Sequence, residues 1–142
     1  MYYVVNLFFW LCLLFPHYSL NAASLDVVIQ GISSQKGKVA IALYNQEKTF
    51  PKRGQEFKSI MLTITSSNIH HTFYEIPSGN YAAVAFHDEN LNKKLDKRFG
   101  VPIEAFGFSN GVIPKMGPPK FSAAMFEVYH EQTPTLNIFL ND

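Results

Sequence analysis

The stretch PSGNYAAVAFHD, Pro77 to Asp88, sets a tight turn, Pro77-Ser78-Gly79-Asn80, directly before a strand-length apolar run, Tyr81 to Asp88. Proline and glycine in that spacing reverse the chain, and the aromatic and β-branched residues that follow favour extended backbone. Four runs of the same kind precede it: LDVVIQGI (Leu25 to Ile32), KVAIALYN (Lys38 to Asn45), FKSIMLTIT (Phe57 to Thr65) and IHHTFYEI (Ile69 to Ile76). Two more come late, AAMFEVYH (Ala123 to His130) and TLNIFL (Thr135 to Leu140). Their period is mostly two and no run has helical period, so the expected fold is all-β, a seven-stranded antiparallel β-sandwich. The turn residues Ser33 to Gly37 and Pro77 to Asn80 make strands one and two, and strands four and five, the expected hairpin neighbours.

With 142 residues, 47% of them hydrophobic, the chain suits one domain with its own core. Twelve basic residues against eleven acidic ones leave no strong field to gather nucleic acid, which is not an expected partner. No charged side chain precedes Asp26, and the apolar run Leu7 to Phe15 is about half the ~20 residues of a spanning helix. Followed by Pro16 and the small residues Ala22, Ala23 and Ser24, it reads as a signal peptide over residues 1–23, although no Lys or Arg stands near Met1. The expectation is a single exported domain, residues 24–142, periplasmic or secreted, with no stable membrane insertion once the signal is cleaved. Cys12, the one cysteine, falls in the signal, so the mature chain has no thiol for a disulfide, nucleophile or metal site.

The segment Glu89 to Ser122 interrupts the strand pattern with glycines and prolines, yet it carries Phe99, Phe106, Phe108 and Phe121, which need burial. It is expected to be one long ordered loop. Two uses follow: a lid over the open end of the sandwich, or a cleft formed by those four phenylalanines with Glu104 and Asn110. Such a cleft would take a protein, a glycan or a small apolar ligand.

Within HDENLNKKLD, His87 to Asp96, the residues Asp88, Asn90, Asn92, Lys94 and Asp96 fall at the first, third, fifth, seventh and ninth places of a calcium loop, Lys94 through its carbonyl. The sixth place holds Lys93 where such loops have glycine, and the twelfth holds Phe99 where they have glutamate. The same residues suit an Asx-rich turn whose side chains bond nearby backbone amides. Any calcium binding would be weak; no other cofactor is expected. Gly107-Phe108-Ser109-Asn110-Gly111 has the glycine spacing of a nucleophile elbow but no helix-forming residues after it. The adjacent His70 and His71 face opposite sides of a strand and do not share one ion.

Three segments, IPSGNYAAVAFHDENLNKKLD, IEAFGFSNG and MGPPKFSAAMFEV, resemble domain-of-unknown-function family 2141 of secreted bacterial proteins. The resemblance runs from Leu25 to Leu140 and implies a transthyretin-like sandwich, related to collagen-adhesin B-type domains, in which the Pro-x-Gly-x-Tyr turn starts a central strand. Members of that family carry glycines near Leu91 and Lys93, so this chain departs where the loop must bend. The family implies no activity. The expected function is that of an exported, non-enzymatic binding or accessory module; the alternative is a periplasmic hydrolase using metal or serine chemistry at the long loop.

Overall fold

A computed structural model describes residues 22–141. Residues 1–21, with Cys12 and nearly all of the expected signal peptide, lie outside the described residues. The strands are β1 (Ala23–Gln30), β2 (Lys38–Tyr44), β3 (Lys58–Thr63), β4 (Ile69–Ile76) and β5 (Gly79–Asp88), then the short β6 (Lys97–Arg98), β7 (Val101–Pro102) and β8 (Phe106–Phe108). One helical turn, α1 (Phe121–Ala124), precedes β9 (Phe126–Val128) and β10 (Thr135–Phe139). All seven predicted runs contain a strand, and the chain is all-β as expected. The three additional strands, β6 to β8, come from the long loop, where glycines and prolines cut them too short to show a period.

One sheet has the order β10-β1-β4 and the other β3-β2-β5-β8, with β9 also paired to β5. The expected hairpins are not formed. β1 pairs β4 antiparallel and β10 parallel, while β2 pairs β3 and β5, so strands one and two belong to different sheets, as do strands four and five. The first sheet is therefore mixed rather than antiparallel. Period-two alternation records which side chains point inward but not which strand lies alongside, so the turns at Gly37 and Pro77 pass between sheets without any mark in the pattern.

Alternation places Leu25, Val27 and Ile29 of β1 inward, and Val39, Ile41 and Leu43 of β2 likewise, each fully buried. They share one core with Ala83 and Ala85 of β5 and with Leu136 and Ile138 of β10, so residues of both sheets enclose it. β5 is buried on its other face too. There Ala82 and Val84 lie under a second cluster built on Phe50, whose ring stands edge-on to Tyr44, Phe108 and Phe121 at 5.4, 5.9 and 5.8 Å. Such edge-to-face contacts add to the area buried. Burial, with the Glu56 carboxylate beside it, pushes the Tyr44 phenol well above its ordinary value.

The Pro77–Tyr81 turn is closed by its own tyrosine: the buried Tyr81 hydroxyl donates to the Pro77 carbonyl at 2.7 Å. Two glycines allow close backbone approaches. A Cβ on Gly107 of β8 would stand 2.3 Å from the Phe139 carbonyl oxygen, and one on Gly37, at φ +72, would stand 2.0 Å from that of Asp88. The second approach seats the β1–β2 connection against the end of β5, where His87 bonds through Nε2 to the Lys36 carbonyl at 2.6 Å.

Candidate functional site

β5 runs out of the core at Asp88, and the chain turns at once. Asp88 is fully buried, and its carboxylate accepts the backbone amides of Asn92 at 3.1 Å and Lys93 at 2.7 Å. Asn90 Oδ1 accepts the Asn92 amide at 3.1 Å, and Asn92 Oδ1 accepts the Lys94 amide at 2.8 Å. Leu91 and Lys93 take the positive φ values, 63° and 62°, that this folding-back requires. The bend that glycine usually makes is thus made here by two ordinary residues, at about 1–2 kcal/mol each. An anionic side chain that accepts two amides nucleates the turn more strongly than a neutral one.

Asp96 completes the loop from its far end. It accepts Asn90 Nδ2 at 2.6 Å and Asn92 Nδ2 at 2.9 and 3.0 Å. Four of the five residues predicted as calcium ligands, Asp88, Asn90, Asn92 and Asp96, are therefore joined in one network, with Lys94 contributing backbone. In this arrangement the two asparagine amides point their hydrogens at Asp96, the side a cation would share. Among the described residues, no group of three or more His, Cys, Asp or Glu is placed to hold a metal ion.

Sequence alone groups Glu104 with the aromatic cleft. The structure instead brings it to this loop, where it accepts the amides of Glu89 at 3.2 Å and Asp96 at 2.9 Å. Nothing in the spacing of residues fifteen apart signals that contact. Between these ends rises the β6–β7 hairpin, whose two loop residues Phe99 and Gly100 both have positive φ, 52° and 83°, as in a type I′ turn. Asparagine is the usual first residue of such a turn; the phenylalanine in its place hides the hairpin from a sequence reading.

The other residues of the predicted cleft do not converge on one. Phe99 is 97% exposed at the hairpin tip, Phe106 is half-buried, and Phe108 and Phe121 are in the second core. Asn110, at φ 60°, donates to the Met125 carbonyl at 2.8 Å and ties its turn to the chain after α1. Within the long segment, Phe106, Phe108 and Phe121 pack on the outer face of the larger sheet rather than around a cleft of their own. A wide-mouthed hollow of about 530 Å³ does exist in it, lined by Val112 to Lys120, Ser122 and Ala123, but it includes none of the six predicted residues.

Ser109 has a structural explanation. β5 pairs with β9 over Gly79 to Tyr81 and with β8 over Val84 to Phe86, which leaves a break at Ala83. The fully buried Ser109 hydroxyl fills it, accepting the Ala83 amide at 2.9 Å and donating to the Ala124 carbonyl. The residues after it form a short 3₁₀ turn rather than the helix of a nucleophile elbow. His70 is exposed, His71 sits edge-on to Phe73 at 4.6 Å, and His87 is buried with its Nδ1 3.8 Å from Glu89 Oε1.

The fold and this end of it define an all-β domain that carries a closed Asx loop beside an exposed aromatic hairpin. A family model described as an uncharacterized protein conserved in bacteria (DUF2141) matches residues 27–136, and the chain belongs to that family. No curated protein and no solved structure matches it.

Proposed function

We propose that this chain is an exported, non-enzymatic binding or accessory module on a transthyretin-like sandwich, with its contact surface in the segment from Leu91 to Met116. One observation carries the reading. Of the nine large hydrophobic side chains exposed among the described residues, six (Leu91, Phe99, Val101, Ile103, Ile113 and Met116) come from that segment. Apolar side chains that adjoin on the surface mark interaction sites, and a concentration of them in one segment is where such a patch is sought. The Pro77–Tyr81 turn and the core shared by two sheets support the fold subtype, and the uncharged apolar start with its small residues supports export. The hydrolase alternative has less behind it, since the Ser109 hydroxyl is committed to backbone groups.

A photo-crosslinking benzophenone side chain at position 99 tests the binding reading in intact cells. A discrete adduct, to protein, glycan or lipid, that disappears when Val101 and Ile103 are changed to serine supports it. No adduct of any kind overturns it.

A second reading, a weak calcium loop, has one observation in its favour: Lys93 makes the sixth-position turn of such loops in spite of its side chain. Asp88, Asn90, Asn92 and Asp96 would supply side-chain oxygens and Lys94 its carbonyl, provided the two amides rotate away from Asp96.

A further inference from the structure

The β6–β7 hairpin carries two costs. Phe99 holds a positive φ that disfavours a bulky side chain, and it leaves its ring 97% exposed. A Cβ placed on its neighbour Gly100 would meet nothing within 4 Å, so the tip stands clear of the rest of the molecule. Val101 and Ile103, 64% and 63% exposed, continue the apolar surface down the second strand. Strain and exposure that persist together point to a use outside the fold.

The charges around the tip are sorted. Lys93, Lys94, Lys97 and Arg98 are all exposed, and the Arg98 guanidinium lies 5.8 Å from the Phe99 ring centroid. Of the nearby carboxylates, Asp88 is buried, Asp96 is occupied by the Asn90 and Asn92 amides and Glu104 by backbone amides, while the exposed Glu89 accepts the Ser34 hydroxyl at 3.3 Å on the side of the β1–β2 connection. Four exposed cations, all within six residues of Phe99 along the chain, thus form the cationic collar of an apolar tip.

We propose that this hairpin docks the domain on an anionic lipid surface, with Phe99 entering the headgroup boundary and Lys93, Lys94, Lys97 and Arg98 meeting the headgroup charges. This rests on the reading of the segment as the contact surface and names what it contacts. A convex tip offers no groove to a peptide, and a protein partner would need a pocket shaped for it. A fluid interface accepts an aromatic side chain without one, and anionic headgroups match the collar. Among the described residues no helix is long and apolar enough to cross a membrane; the docking is peripheral.

The test is co-sedimentation of the full chain with vesicles of phosphatidylcholine alone and of phosphatidylcholine with phosphatidylglycerol. Because no charged side chain precedes Asp26, the N-terminal apolar stretch has no side-chain charge with which to prefer either composition, and a preference that falls when collar residues are changed reports the collar. The wild type is expected to prefer the anionic vesicles. Lys97→Gln with Arg98→Gln should cost about five-fold per cation in that preference. Phe99→Asn, which suits the turn, should cost about ten-fold in affinity for anionic vesicles while the domain stays folded. Equal binding to both compositions, or variants that bind as the wild type does, would overturn the proposal. If the vesicles are ignored while the position-99 crosslinker captures a protein, the lipid assignment fails and the binding-module reading stands; if neither occurs, both fail.

Discussion

Glu104 accepts the backbone amide of Asp96 at 2.9 Å, and through its other oxygen it holds the amide of Glu89 at 3.2 Å. One side chain thereby clamps both ends of the Asx loop. Glu104→Ala should cost about 1–3 kcal/mol, since two amides lose an ionised acceptor. Glu104→Gln, which keeps one carbonyl oxygen, should lose less. Urea denaturation of both variants measures this, and equal losses would mean that the retained carbonyl oxygen contributes nothing without the charge.

Lys93→Gly should stabilise the domain by up to about 1 kcal/mol. Relief of the left-handed backbone, about 1–2 kcal/mol, is partly offset by the greater freedom of glycine in the unfolded chain, about 0.5–1 kcal/mol. Lys93→Ala keeps the strain and should show no gain. A matching gain in the alanine variant would place the effect in the lysine charge instead.

If the loop takes calcium in the ~1 mM range of weak extracellular sites, 10 mM calcium should add about 1.4 kcal/mol of stability, read as a rise in Tm. Asp88→Asn and Asp96→Asn should each abolish the rise. An unchanged Tm in the wild type rejects the calcium reading.

The phenylalanines of the long segment separate by position. Phe108→Ala, in the second core, should cost about 3–5 kcal/mol, whereas Phe99→Asn should leave stability unchanged or improve it. Ser109→Ala should cost about 1–3 kcal/mol, because the Ala83 amide and the Ala124 carbonyl lose their partner within the interior. Thermal melts of the three variants distinguish core, tip and strut.

Burial holds the His71 imidazole below its ordinary value of 6.5. The unfolded chain therefore binds the proton more readily, and the contribution is fully present above 6.5 and lost as pH falls below it toward the lowered folded value. Melting temperature should drop between pH 7.5 and pH 5, less steeply in His71→Gln than in the wild type. Identical slopes would assign the acid loss to other groups.

Much of the site was visible as residue spacing and much was not. Asp88, Asn90, Asn92 and Asp96 fell at loop-forming intervals because an Asx turn is local: the first three bond backbone amides two to five residues away, and Asp96 accepts side-chain amides four and six residues back. Glu104 and Ser109 act on backbone brought near by other strands, and no local pattern records that. The β6–β7 hairpin was missed for a different reason, because Phe99 stands where turn chemistry favours asparagine.

By itself the sequence determined the all-β class and the position of seven strand-containing runs, since these follow from a period of two along each run. It also located the one loop that interrupts them. Only the tertiary structure decided that β1 lies between β4 and a parallel β10, that Phe108 and Phe121 form a second core with Phe50, and that Phe99 does not join them. Pairing and layering depend on contacts between residues far apart in the chain, and the hydrophobic pattern that selects a buried face is satisfied equally well by several partners.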